Sequence, residues 1–131
     1  LLPRRECVTK KMRIHGYRKN PDLADHMYIY GSDEPAIRDS IKANPALGEK
    51  ICDGYDYTAA EVVWAVRHEM ARTVEDVLAR RVRLLFVDAR KAEKAARKVA
   101  EIMAAELEMP QSWIEEQTSS FEKLARNYYL A

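Results

Sequence analysis

The chain has 131 residues, 47% of them hydrophobic, and a formal net charge of +1. That length and composition suit one domain with a buried core. The near-zero charge gives no reason to expect a nucleic-acid or membrane-surface partner. No apolar run approaches the roughly 20 residues of a membrane span, and no signal peptide is visible. Cys7 and Cys52 stand alone without C-x-x-C spacing, which suits a reduced, cytoplasmic protein and leaves a bridge between them open.

The chain changes character near Gly54. All four glycines (Gly16, Gly31, Gly48, Gly54) and Pro3, Pro21, Pro35 and Pro45 lie up to that point, and beyond it only Pro110 interrupts. Low glycine favours long helices. Residues 1–31 therefore read as an irregular lead-in, extended over 8–14 and with a short strand or bend at Met27–Tyr30. A helix is expected after Ser32, with Pro35 tolerated in its first turn, ending near Ala43. A short turn should surround Leu47–Ile51.

The segment from Tyr55 to Leu85 is the most informative. Thr58 with Glu61 has the spacing of a capping box, and Thr73 with Asp76 repeats it with a shorter acid that suits the reciprocal bond less well. A helix from Ala59 to Met70 should thus be followed closely by one starting near Val74. At 100° per residue, Ala59, Val62, Val63, Val66 and Met70 share one arc, and Ala60, Trp64 and Ala71 share the next. So apolar a helix should be central. Arg67 falls between the two arcs, Glu69 at the edge of the first, and Arg81 on the stripe of Val74, Leu78 and Leu85. Buried charges need partners. Arg67, Glu69, Glu75, Asp76 and Arg81 are therefore read first as a structural ion-pair network, ahead of a ligand site.

Further on, Asp88 can cap a long helix to Leu107, apolar along Ala92, Ala95, Ala96, Val99, Ile102, Met103 and Leu107. Met109–Pro110 breaks it. A last helix should run from Ser112 to Tyr129 on Ile114, Gln117, Phe121, Leu124, Ala125 and Tyr128. The expected fold is all-α, a single helical bundle of about five helices with an irregular N-terminal lead-in: residues 1–31 as lead-in or linker, residues 32–131 as the helical domain.

No constellation carries catalysis. His68-Glu69 begins like H-E-x-x-H, but Arg72 occupies the second histidine position, so no metal site is assigned. The close helix pair could be a DNA-binding helix-turn-helix, but its first helix is too apolar, and Glu75 and Asp76 would face phosphate. The run Arg80, Arg81, Arg83 could hold an anion such as a substrate phosphate, though such runs more often mix internal pairing with solvated charge. His15 shows no nucleophile–base arrangement in sequence.

The run YDYTAAEVVWAVRHEMARTVEDVLARRVRLLFVDA resembles the C-terminal domain of the FAD-dependent (aerobic-type) glycerol-3-phosphate dehydrogenases. There an aromatic-rich turn leads to a helix reading A-E-V-x-x-A-V-R-x-E, then an acidic residue in D-V-L, then an arginine pair. CVTKKMRIHGY and YIYGSDEPAIRD resemble the segment leaving that family's flavin domain and its next helix, and KVAEIMAAEL and SFEKLARNYYLA also match, so that nearly the whole chain is covered in order. The resemblance implies a structural or cap role in an enzyme converting sn-glycerol 3-phosphate to dihydroxyacetone phosphate, with electrons passing through FAD to quinone. In close relatives they pass to oxygen. An independent helical interaction module is the remaining alternative. No G-x-G-x-x-G follows a strand, and the chain begins with Leu rather than Met, so an excised domain or enzyme tail is expected, binding no FAD and inactive alone. Its expected partner is the enzyme's own N-terminal flavin domain, met through Met12, Ile14, Tyr17, Tyr28, Tyr55 and Tyr57. A homodimer is an alternative way to cover those side chains, and a peripheral place on the inner face of the cell membrane is compatible with the full enzyme.

Overall fold

The computed structural model describes residues 7–129. Among them the regular elements are helical, with one isolated antiparallel bridge, Lys50 to Thr58. The architecture is all-α. The chain divides between Ala36 and Ile37 into two compact units.

In the first unit, the stretch expected to be extended opens instead with a 3-10 turn, Val8–Lys10, where the Lys11 and Met12 N–H groups both return to the Val8 carbonyl at 3.1 Å. Valine and threonine favour strands only where a neighbouring strand offers pairing and packing, and none is present among the described residues. The expected strand or bend at Met27–Tyr30 is likewise a run of 3-10 turns, His26–Asp33. Asp25 starts it: its carboxylate accepts the Met27 N–H at 3.0 Å and its carbonyl the Tyr28 N–H at 3.0 Å. The run kinks at Gly31, whose φ of 54° and ψ of −117° suit only glycine. A methyl group there would lie 1.7 Å from the Gly16 carbonyl oxygen. That close approach lets residues 15–18 clasp residues 31–34. The Ser32 N–H donates to the Gly16 carbonyl at 3.3 Å, and the Gly16 N–H to the Ser32 hydroxyl at 3.2 Å.

Helix α1, Glu34–Ala43, carries Pro35 in its first turn as the sequence suggests. From Ile37, which is fully buried, it belongs to the second unit. A 3-10 turn, Pro45–Gly48, follows, started by the Asn44 side chain accepting from the Ala46 N–H at 3.3 Å. A closed loop then delivers Thr58 to the start of α2, Ala59–His68: Ile51 N–H donates to the Tyr57 carbonyl and Ala59 N–H to the Glu49 carbonyl, both at 2.9 Å. The capping box is present. Glu61, fully buried, accepts from the Thr58 N–H at 2.7 Å and from the Thr58 hydroxyl at 3.1 Å.

Helix α2 ends at His68, two residues short of the expected Met70, which takes a left-handed φ of 59° and is 80% exposed. The next helix is wound as a π-helix over Asp76–Arg81, with the Val82 N–H reaching back five residues to the Val77 carbonyl at 3.0 Å. Then come a short α3, Leu84–Val87, the long α4, Ala89–Leu107, and α5, Gln111–Arg126. Asp88 caps α4 by accepting from the Lys91 N–H at 2.9 Å. The last helix thus closes before Tyr128, which is largely exposed.

Helix α4 is the spine. Its buried face is Ala92, Ala95, Ala96, Val99, Ala100, Met103 and Ala104, and both α2 and α5 pack on it. Their contributions include Val62, Val66, Ile114, Phe121 and Ala125. Val77 and Leu78 of the π-helical turn, Val74 just before it, and Leu84 and Leu85 of α3 join the same core.

The buried cap makes a direct test. Glu61→Ala removes the acceptor for a buried backbone N–H and should cost about 1–3 kcal/mol. Glu61→Gln, which keeps an acceptor oxygen, should cost less. Urea melts of the two variants check the order; equal losses would show that the cap bond contributes little.

Candidate functional site

The residues singled out by sequence fall into two groups, a set of charges around the α2 end and a set of exposed apolar side chains. Arg67 is not buried. The apolar surround of α2 ends at Val66, and the Arg67 side chain, 60% exposed, spans to α4, donating to the Glu106 carboxylate through Nε at 2.5 Å and Nη2 at 2.9 Å. An arginine in a last helical turn also suits the negative end of the helix dipole. Glu106, the partner on α4, carried no signal in a helical wheel of α2 alone.

Arg81 is half-buried and pairs with Glu69, Nε to the carboxylate at 3.2 Å and Nη2 to the Glu69 carbonyl. A wheel at 3.6 residues per turn puts Arg81 on the core stripe. The wider π turn moves it to the edge. Arg80 instead takes Glu75 at 2.6 Å and Asp76 at 2.7 Å. The expected set of five charges is therefore three separate pairings at the surface and its margin: Arg67 with Glu106, Arg81 with Glu69, and Arg80 with Glu75 and Asp76.

Asp76 does more than pair. Its Oδ2 accepts from the Arg72 N–H, the Thr73 N–H and the Thr73 hydroxyl at 3.0, 3.0 and 2.9 Å. The short acid thus closes the second helix start fully, contrary to the poor fit expected from its length, because the chain between the helices turns tightly enough to bring both N–H groups to one oxygen. Arg72 completes the junction, donating to the Val66 and Ala71 carbonyls at 3.1 and 2.9 Å. From α5, the Gln117 amide oxygen accepts the free Val74 N–H at 3.2 Å. Burial pushes the Asp76 carboxyl up, but the Arg72 N–H, the Thr73 hydroxyl and N–H, and the Arg80 charge together hold it below its ordinary range.

The proposed docking side chains separate. In the first unit Met12, Ile14, Tyr17 and Tyr28 are 60%, 76%, 46% and 41% exposed, and Val8, Leu23 and Ile29, not singled out by sequence, are exposed as well. In the second unit Tyr55 and Tyr57 are half-buried at the edge of the core, their rings stacked at 6.0 Å. His15, exposed in the clasp, is hydrogen-bonded through Nε2 to Asp33 at 2.7 Å, and Arg18 pairs with Glu34. The aspartate lies 18 residues on, and nothing in sequence tied it to His15.

The cavities of the second unit include two of similar size. One, about 360 Å3, lies beside Phe86 and Tyr128, which meet edge to face, with Arg90 over the Tyr129 ring. The other, about 350 Å3, is lined by Lys91, Lys94, Lys98 and Cys52, but Lys98 is held by Glu49 and the Lys50 carbonyl. Both cysteines are free thiols. Burial pushes that of Cys52 up, while hydrogen bonds from Thr9 and the Lys10 backbone lower that of Cys7. Among the described residues no group of three or more histidines, cysteines or carboxylates converges as a metal site, and no helix is long and apolar enough to cross a membrane.

These geometries set two measurements. Arg81→Ala should cost about 1.5–3 kcal/mol, the range for hydrogen bonds to charged groups. Arg67→Ala, at an exposed pair, should cost no more than about 1 kcal/mol. Both fall below the roughly 3–5 kcal/mol for breaking a buried pair, and chemical denaturation reads the difference directly. Because its folded-state pKa is depressed, Asp76 contributes stability above its unfolded value, and loses it as pH falls through the folded one. Asp76→Asn should therefore be less stable at neutral pH and decline less steeply towards acid. Parallel acid limbs for variant and parent would show that this carboxylate does not carry the effect.

The family whose pattern matches, over residues 7–117, is described as the C-terminal domain of alpha-glycerophosphate oxidase. A probable mitochondrial glycerol-3-phosphate dehydrogenase of Dictyostelium discoideum is 34% identical, the match covering 93% of this chain and 21% of that protein. The mitochondrial glycerol-3-phosphate dehydrogenase of Bos taurus is 33% identical over 84% of this chain and 16% of its own length. That of Schizosaccharomyces pombe is 38% identical over 55% and 10%. The chain thus spans about a fifth or less of these relatives. No solved structure matches. With residues 7–117 matched and the helix–turn–helix of α2 and the π-helical turn lying inside that span, the chain belongs to the family of the C-terminal domain of alpha-glycerophosphate oxidase and the glycerol-3-phosphate dehydrogenases.

Proposed function

We propose that this chain is the helical C-terminal part of an FAD-dependent enzyme that oxidises sn-glycerol 3-phosphate to dihydroxyacetone phosphate and passes the electrons to quinone. The family match over residues 7–117 carries this reading. The names of the relatives, all glycerol-3-phosphate dehydrogenases, favour a dehydrogenase, while the oxidase in the family's description supports oxygen as the alternative acceptor. A quinone acceptor is dissolved in lipid, so we place the full enzyme in the cytoplasm, peripheral on the inner face of the cell membrane.

The chain itself does not fit FAD. None of its four glycines falls in a dinucleotide fingerprint, and the close approach at Gly31 is already filled by the Gly16 carbonyl. The flavin is therefore assigned to the enzyme's N-terminal portion, and this chain to a structural role. Residues 1–31 lead in from that portion. Residues 32–131 form a body that braces it and walls one side of the substrate entrance. Exposed Met12, Ile14, Tyr17 and Tyr28 in the first unit support docking there. Half-buried Tyr55 and Tyr57 are a separate candidate contact of the second unit.

Two preparations test the reading. The 131-residue chain alone should show no flavin absorbance and no dye reduction with glycerol 3-phosphate. The full-length enzyme should show both, and deletion of this domain should lower its melting temperature and its turnover together. A yellow isolated chain, or a truncated enzyme with undiminished flavin content and turnover, would overturn the assignment.

A further inference from the structure

We propose that residues 8–19 form a cationic seam with an apolar centre, and that it seats on an acidic face of the enzyme's own flavin-binding portion; this rests on the docking reading above. No Asp or Glu occurs from Cys7 to Pro21, whereas Lys10, Lys11, Arg13, Arg18 and Lys19 do. The balance of +1 for the whole chain hides this local excess. Part of it is consumed inside the unit, where Asp33 holds His15 and Glu34 holds Arg18. Arg13 lies 5.3 Å over the ring of Tyr17, a contact that orients the guanidinium without neutralising it. Among the described residues, no carboxylate pairs with Lys10, Lys11, Arg13 or Lys19.

A solvated polar face would explain the lysines but not what lies between them. Val8, Met12 and Ile14 alternate with the cations and are 64%, 60% and 76% exposed. An apolar centre with a charged rim is the composition of a protein interface, and unpaired cations select a partner of opposite sign and set its orientation. The occupant follows from place. The matched family is a C-terminal domain, and this chain spans about a fifth of its Dictyostelium relative. The larger body therefore lies on the N-terminal side, and residues 8–19 are the described segment nearest to it along the chain. A seat of that chemistry needs aspartates or glutamates around an apolar depression.

The test uses the full-length enzyme and three variants: K10E/K11E/R13E, its neutral counterpart K10Q/K11Q/R13Q, and M12S/I14S. Melting temperature and turnover are followed from low to high salt, and sedimentation with phosphatidylcholine vesicles is compared with and without phosphatidylserine. The parent should lose melting temperature as salt rises, because screening weakens an exposed charged interface. The neutral variant should lower it at low salt and remove the salt dependence, and charge reversal should lower it further and invert the dependence, because screening then relieves a repulsion. If both charge variants melt like the parent while M12S/I14S melts lower, docking stands and the acidic seat is wrong. If none of the three differs, docking through this segment falls as well. Unchanged melting together with lost sedimentation on phosphatidylserine vesicles would assign the seam to a lipid surface and overturn the proposal.

Discussion

The packing of this domain depends on the small side chains along one face of α4. Ala92, Ala95, Ala96, Ala100 and Ala104 are all buried there, and short side chains allow helix axes to approach closely. The face supplies little volume of its own, so its neighbours must fill it: Val62 and Val66 from α2, Ile114 and Phe121 from α5, Leu84 and Leu85 from the short α3. Interiors packed to crystal-like density leave no room for a compromise. A larger residue at Ala96 or Ala100 would force two helices apart at once, at about 1–3 kcal/mol per overpacked site. The alanines fix the spacing, and the remaining features hold the ends in register with it.

The ends are held from outside. Arg67 ties the last turn of α2 to Glu106 near the end of α4, and Arg126 ties the last turn of α5 to Glu93 near its start. Tyr129 adds a second bond to the same Glu93, and its hydroxyl together with Arg126 holds that carboxyl below its ordinary range. Between the helices the chain turns without glycine. Met70, Arg83 and Glu108 all take left-handed backbone angles, where glycine is the usual choice. Such positions persist only where the surroundings over-determine them. Around Met70 the means are visible, since Arg72, Asp76 and Gln117 together satisfy the free backbone groups on both sides of the break.

The sequence specified much of this because its signals were local. The capping pair Thr58 and Glu61, the cap at Asp88, the break at Met109–Pro110 and the alanine stripe of α4 each involve residues within one or two turns of each other, and each is found in the fold. What was not legible is non-local or departs from ideal geometry. Arg67 was misplaced because the wheel of α2 does not contain Glu106, 39 residues away. Arg81 was misplaced because a π turn does not keep the 3.6-residue period. The extended reading of residues 8–14 failed because β-branched side chains only propose a strand, and a partner must be present to accept it. The His15–Asp33 bond and the cationic excess of residues 8–19 were missed for opposite reasons. The first joins distant residues, and the second vanishes in a whole-chain sum.

In the role proposed for it, a body of this kind would act on chemistry that it does not itself perform. Around the α2 end its charged side chains are committed to internal pairings, and exposed apolar side chains occur in both units, Val8, Met12, Ile14 and Leu23 in the first and Met70, Phe86 and Val87 in the second. Under that proposal, hydride transfer to the flavin would need an ordered, water-poor site, and a helical wall would contribute by being stiff and correctly seated. Stiffness resides in the second unit, where α4 is clamped on both flanks. In the proposed docking, seating would fall to the first unit, where the Gly16–Gly31 clasp ties residues 15–18 to residues 31–34. The two tasks impose different residue chemistry, alanine and paired charge in one, glycine and unpaired charge in the other.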